Sequence, residues 1–396
     1  MGLIDELLGR KRADEVPYAD LVEGAHDVIL AVHAAQGTVL YANAALTELL
    51  GYDREEVAGR SFAELCMPNQ VLRSAELVAD AWEKGGAIST ELVLRHKTEK
   101  DPIPVEISTR VTQVGKAPAI ILYIRDVRER LRLTRMIEDK NRQLLESISY
   151  ARRLQLGALP PATTLKAFFP ESFILYLPRD IVSGDFYWMT ETPQSYLLAV
   201  GDCTGHGVPG AMMVMLMVSF LNQAMSTLEE PAPARLLTFL HQQVCHIFNT
   251  ESIRDGADMI ILEVRKAEPT LRWASANRPL WWLSPAGFQE AKGERASIGG
   301  YTSPDYAFSN QQLPLEPDMR LYLFSDGYGD QFGGPAGKKI STGRFKRLLQ
   351  ETAHLSLPEQ SDALHRFFLE WKGEHEQIDD VLVIGLNPLS SSLCTS

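Results

Sequence analysis

Cysteine is scarce in this chain: four in 396 residues, at positions 66, 203, 245 and 394, with no CxxC pair. That spacing excludes a disulfide framework and a cysteine-built zinc site, and a reduced cytoplasm is the expected compartment. Long apolar runs are missing too. The longest, 211–221, is about half of the roughly 20 residues that span a bilayer, so no transmembrane helix is expected. Its methionines (Met212, Met213, Met215, Met217) read as core packing. The opening MGLIDELLGRKR lacks the apolar core of a signal peptide and carries Glu6 where myristoylation needs Ser or Thr; residues 1–17 read as a short helix or tail. Positive charge is in deficit, 39 Lys and Arg against 51 Asp and Glu, a net −12. That balance argues against nucleic acid or a membrane surface as the partner. No internal repeat is visible. The rest of the composition is that of an ordinary globular protein, and the length suffices for two domains, each with its own core.

What the chain does have is aspartate at the ends of strands. Residues 186–189 and 196–200 are aromatic and aliphatic and flank the polar turn 191–194. Paired antiparallel, they bring Asp185 beside Asp202. The device recurs near the C-terminus. A strand at 319–324 ends in Ser325-Asp326-Gly327, and a strand at 381–386 follows Asp379-Asp380, so Asp326 falls near Asp379. Aspartate is a poor strand residue. Like charges about 4 Å apart repel by roughly 4 kcal/mol at an effective dielectric near 20. Something positive must therefore sit among them. With no His or Cys in ligand spacing, an all-oxygen set favours magnesium or manganese.

Six segments in order resemble the SpoIIE/RsbU-like branch of the PPM metal-dependent serine/threonine phosphatases. They are SGDFYW (183–188), GDCTGHGVPGA (201–211), SANRPLW (275–281), SIGGY (297–301), FSDGYGDQFGG (324–334) and QIDDVLVIG (377–385). SISYARRLQLGALP (147–160) resembles the helix that precedes such domains. The resemblance implies an α/β/β/α sandwich over 161–390, with 391–396 as a tail. It implies two Mn2+ or Mg2+ ions, with Asp202 bridging them, the Cys203 carbonyl as a ligand, Asp326 and Asp379 completing the site, and Asp185 acting directly or through a metal-bound water. Two such ions bring a shared water near neutrality as a nucleophile for in-line attack on phosphorus. Asp258 and Asp380 are further candidates, the latter equally a strand cap. Arg179, six positions before Asp185, either holds phosphate or is an exposed loop arginine. His206 either protonates the leaving alkoxide or is a hydrogen-bonded structural residue. Cys203 is not a cysteine-phosphatase nucleophile, since Pro209 stands where the required arginine would be.

Upstream, 18–126 reads as an α+β module with strands at 28–32, 38–41, 88–95, 105–112 and 119–124, and a helix over 43–50. VLYANAALTELLGYDREEVAGRSFAEL (39–65) and RDVRER (125–130) resemble a PAS domain. Cys66 lies outside any flavin-adduct motif. His26, His33 and His96 are candidate haem ligands or structural residues; an empty pocket or an unidentified small ligand is the other reading. Residues 127–160 form a helical linker closed by Pro160-Pro161, with Leu133, Ile137, Leu144, Ile148, Ala151 and Leu154 on one face. That stripe predicts a parallel coiled coil in a homodimer.

The expected whole is therefore a sensor, a linker and a phosphatase. It would dephosphorylate phosphoserine or phosphothreonine in a protein, by resemblance a STAS-type anti-sigma-factor antagonist. Two other classes are weighed. A catalytically silent binder of phosphorylated partners would not need all four carboxylates. A diguanylate cyclase output would need a Gly-Gly-Asp/Glu-Glu-Phe signature, and SGDF at 183–186 is not one.

Overall fold

The computed structural model describes residues 18–85, 88–248 and 254–390, so the readings for 1–17 and 391–396 lie outside it. The chain divides into two compact units, with the boundary between Arg142 and Gln143.

In the first unit α1 (Tyr18–Glu23) precedes β1 (Val28–His33), β2 (Val39–Ala42), α2 (Ala45–Leu50) and α3 (Arg54–Val57). Then come α4 (Val71–Lys84), β3 (Ser89–Leu94), β4 (Ile103–Val114) and β5 (Ala117–Asp126). The strands form one antiparallel sheet ordered β2-β1-β5-β4-β3. Its strands sit where period-2 alternation placed them: β4 buries every second residue from Ile103 to Thr109. Helix α2 stops at Gly51, whose φ of 73° closes it in the left-handed region. Helix α4, which the sequence reading did not identify, buries Leu77, Val78 and Ala81 in the same core as Leu30, Val105 and Leu122. His96 accepts the Thr98 and Glu99 backbone N–H groups through Nδ1, at 3.2 and 3.0 Å. His33 caps its own turn in the same way at Ala35 (3.3 Å), and His26 is exposed. Burial pushes the Cys66 thiol up to about 11.

Helix α5 (Arg128–Ala158) is continuous for 31 residues. Leu133, Ile137, Leu144 and Leu154 of the expected stripe are exposed, and the side chain the helix buries is Gln155.

The second unit opens with α6 (Ala162–Phe168), β6 (Ser172–Leu177), β7 (Asp185–Glu191), β8 (Ser195–Cys203), α7 (Gly207–Thr227) and α8 (Pro233–Ile247). It continues through β9 (Gly256–Arg265), β10 (Thr270–Ala276), β11 (Leu280–Ser284), β12 (Gly287–Ala291), β13 (Ile298–Gly299), β14 (Gln311–Pro314) and β15 (Arg320–Phe324). Last come α9 (Gly327–Asp330), the small hairpin β16 (Phe332–Gly333) and β17 (Lys338–Lys339), α10 (Thr342–Glu351), α11 (Leu357–Lys372) and β18 (Val381–Leu386). One sheet runs β14-β10-β9-β8-β7 with β13 added on β9; the other runs β12-β11-β15-β18-β6. Alternate residues of each strand face opposite sides. Leu198, Val200, Ile260 and Trp273 of the first sheet therefore meet Trp282, Leu323 and Ile384 of the second in a central core. The outer face of the first sheet is covered by α7 and α8, and that of the second by α9, α10 and α11. The layering is α/β/β/α, as expected.

Helix α7, at 21 residues and a mean hydropathy of 1.5, is long and apolar enough by composition to cross a membrane. The 11-residue run stops at Asn222, and Gly210 stands just before it, but neither interrupts the helix. Half of that apolar stretch is buried inside the unit, where Met213, Val214, Met217 and Leu221 pack on the first sheet. Its apolarity is thus used in the core.

Candidate active site

Strand register places the acidic side chains. Asp185 of β7 pairs directly with Asp202 of β8, and Asp202 pairs in turn with Asp258 of β9. Three aspartates therefore stand side by side across three strands. In the second sheet Phe324 pairs with Val383, so Ser325-Asp326 leaves β15 at the end where Asp379-Asp380 enters β18. Ser325 ties the two sheets together: its hydroxyl donates to Asp185 Oδ2 at 2.5 Å and accepts the Leu382 N–H at 3.0 Å.

Close backbone approach at this rim requires glycine. A Cβ on Gly210, in the first turn of α7, would lie 2.3 Å from the Gly205 carbonyl oxygen. One on Gly327 would lie 1.9 Å from the Asp380 carbonyl oxygen.

Burial then sets the charge. Asp185 is 2% exposed; burial first, and the neighbouring Asp202 second, hold its carboxyl well above the usual range. Asp202 is pushed up to about 7, by burial and by Asp326, Asp379 and Asp258, against the opposing pull of Arg278. Asp379 is raised as well, by burial and then by Asp326 and Asp380 against a backbone hydrogen bond. Asp380 has a different task. Its Oδ1 accepts the Arg179 N–H and its Oδ2 the Gly184 N–H, both at 2.7 Å, so it clamps the approach to β7.

The remaining candidates divide. Cys203, the last residue of β8, lines the cleft; its buried thiol is held well above the ordinary range, chiefly by burial. His206 also lines the cleft, with Nδ1 3.0 Å from Asp180 Oδ2. Arg179 does not line it: its guanidinium donates to the Ile378 carbonyl at 2.9 Å. The cleft measures about 900 Å3, with Asp202, Asp258, Asp326 and Asp379 in its wall and Arg254 and Tyr301 further out.

One residue the sequence reading passed over stands at the centre. Arg278, in the loop between β10 and β11, donates from Nη2 to Asp202 and to Asp326 (3.3 Å), and lies 4.0 Å from Asp258. It belongs to SANRPLW (275–281), one of the segments that carry the family resemblance. The signal was a charge standing alone between two apolar strands.

The donor set can be tested against a divalent cation. Among the described residues no three His, Cys, Asp or Glu side chains already converge as a metal-ligating group; the carboxylates are gathered on Arg278 instead. Asp202, Asp258 and Asp326 lie within 4.0 Å of this single guanidinium, and Asp185, Asp202 and Asp379 are held above their usual range, first by burial and then by the charge of neighbouring carboxylates. Their donors are all hard oxygens. The set fits magnesium or manganese and not a soft metal.

A PAS-type sheet followed by a two-sheet sandwich with an acidic rim defines a PAS module in the same chain as a PP2C-type phosphatase domain. The comparisons agree. The family profile described as Stage II sporulation protein E (SpoIIE) matches residues 192–387, and that of the PAS fold matches 22–132. Among solved structures, the SiaA-PP2C domain of Pseudomonas aeruginosa is 34% identical, covering 63% of this chain and 98% of that one, with a TM-score of 0.58. The PP2C domain and regulatory fragment of SpoIIE from Bacillus subtilis is 14% identical, covering 76% and 79%, with a TM-score of 0.44; it adds nothing to the assignment. No curated protein sequence matches the chain. The chain belongs to the SpoIIE family of PPM phosphatases, which are metal-dependent.

Proposed function

We propose that the second unit is an active protein phosphatase that hydrolyses phosphoserine or phosphothreonine in a protein partner. The observation that carries this reading is the rim itself: Asp202 is flanked in register by Asp185 and Asp258 and faces Asp326 across one guanidinium. In this reading Asp202, Asp326, Asp379 and the Cys203 carbonyl would hold two Mn2+ or Mg2+ ions, with Asp185 contributing directly or through a water. When bound, such ions supply a water acidic enough to attack at neutral pH and offset charge on the phosphoryl oxygens. The chain's own residues do the rest. Ser325 and the β7–β8 register fix Asp185 against Asp202. Asp380 and the glycines hold the loops that carry them. In this reading His206, hydrogen-bonded to Asp180, returns a proton to the leaving alkoxide, the alternative being a structural role. All four family carboxylates are present, which favours this reading over a silent binder of phosphorylated partners.

Regulation follows from the linker. Gln155 Oε1 accepts the Ser183 N–H at 3.1 Å, and its Nε2 donates to the Ser183 carbonyl at 2.6 Å. The one buried side chain of α5 thus grips the backbone two residues from Asp185. We take 18–126 as sensor, 127–160 as a linker that dimerises through its exposed apolar stripe, and 161–390 as the output. The partner class is a STAS-type regulator in the cytoplasm, with neither nucleic acid nor membrane involved.

The test is metal-dependent release of phosphate from a phosphoserine protein. Wild type should be active with Mn2+ and silent with chelator. Asp202→Asn should lose at least about 10²-fold, more than the loss of an outer-shell metal partner produces. Equal rates for the two proteins would remove the mechanism. The isolated 161–396 fragment tests regulation: a fragment matching the full chain in every condition would remove the linker's role.

A further inference from the structure

Arg278 is the positive charge the acidic rim already carries. Its side chain is nine-tenths buried and lines the cleft. Nη2 is shared between Asp202 and Asp326, while the buried Nε has no acceptor. The loop presenting it is over-determined. The Arg278 N–H donates to Ala276 O at 2.8 Å, and the Ser275 hydroxyl donates to the Arg278 carbonyl. Asn277 sits in the left-handed region (φ 61°), its Nδ2 donating to Asp258 at 2.9 Å and to Ser297 at 2.7 Å. Where the side chain emerges is fixed; only its rotamers are free.

The carboxylates holding this guanidinium are those read above as divalent-cation ligands. A dication and a guanidinium on the same oxygens repel at contact distance. We propose that Arg278 has two positions: counter-ion to Asp202 and Asp326 in the metal-free chain, and ligand of the substrate's phosphoryl oxygens once divalent cations hold those carboxylates. The inference rests on the metallophosphatase reading and extends it to how phosphate is recognised. A planar guanidinium takes two phosphoryl oxygens at once, and the unpartnered Nε is one of the donors such a pair needs. The other arginines near the rim are placed differently. Arg179 is engaged by Ile378 away from the cleft, Arg254 lies over the exposed Tyr301 ring at 4.4 Å, and Arg295 is exposed. In the loaded state Arg278 is then held by substrate instead of by the rim, so metal binding precedes tight phosphate binding.

The experiment uses the full chain stripped of metal, with Mn2+ titrated by calorimetry and inorganic phosphate then titrated into the Mn2+-loaded protein. Arg278→Gln should bind Mn2+ several-fold more tightly, having lost its internal competitor. The same variant should bind inorganic phosphate about tenfold or more weakly, the effect of losing charge-assisted hydrogen bonds. Arg278→Lys keeps the charge but not the fork: its Mn2+ affinity should stay near wild type while its phosphate affinity falls. If Arg278→Gln does not fold, the phosphate affinity of Arg278→Lys decides. Mn2+ binding that is unchanged or weaker in Arg278→Gln would overturn the proposal, as would undiminished phosphate binding in either variant. A wild-type chain that binds no Mn2+ would overturn the metallophosphatase reading itself, and the inference with it; that failure is distinct because it appears before any substitution.

Discussion

Replacing Asp202 by asparagine should make the pH dependence of the metal-free protein's stability shallower. Folding lifts this carboxyl from its ordinary 3.8 to about 7, so between those values the folded chain binds a proton that the unfolded chain releases. Stability from this group is then fully present below about pH 4 and is lost as pH rises toward 7. The span corresponds to about 4 kcal/mol at 1.36 kcal/mol per pH unit, and about 2–3 kcal/mol of it falls between pH 5 and pH 7. Asparagine carries no charge at any pH and keeps an oxygen that accepts from Arg278, so the Asp202→Asn chain should lose this part of the slope and keep only the part due to Asp185 and Asp379. The assay is urea unfolding in chelator at pH 5, 6 and 7, followed by tryptophan fluorescence, since Trp188, Trp273, Trp281 and Trp282 all lie in this unit. Mn2+ should reverse the effect in wild type, because the ion takes the deprotonated carboxylate. Parallel slopes for wild type and variant in chelator would refute the reasoning.

Other expectations follow from single contacts. Asp380→Ala leaves the buried Gly184 N–H without its acceptor and frees the more exposed Arg179 N–H, and at about 1–3 kcal/mol for the buried donor should cost roughly that much in urea unfolding. Gly210→Ala puts a methyl 2.3 Å from a carbonyl oxygen and should destabilise by about 2 kcal/mol or more, read as a lowered thermal midpoint. Gln155→Ala removes both bonds to Ser183; amide exchange at 183–185 should accelerate by tenfold or more while α8 and β9 keep their protection.

The site was legible in the sequence to the degree that register carries it. Strand-end aspartates flanking a polar turn placed Asp185 opposite Asp202, because a two-residue period leaves little freedom once both strands are identified. The same logic brought Asp326 and Asp379 to one end of the second sheet. What register does not carry was not legible. Arg278 sits in a loop without periodicity, and only the fold reveals that its side chain turns into the rim. Arg179, chosen on its distance in sequence from Asp185, is held away by Ile378, a contact about two hundred residues distant. Asp380 was open between ligand and cap, and its two backbone acceptor bonds make it a clamp. Helix α4 escaped because exposed Leu72 and Trp82 blur its apolar stripe. Helix α7 begins at Gly207, so Pro209 falls in its first turn, where proline is tolerated.

The central claim is that this acidic rim exists to hold divalent cations. Anomalous scattering from a crystal of the full chain grown with Mn2+ tests it most directly. The account predicts manganese peaks at Asp202, shared with Asp326 and Asp379, and an Arg278 side chain withdrawn from Asp202. Peaks at other residues, or none with Arg278 still seated on Asp202, would contradict it.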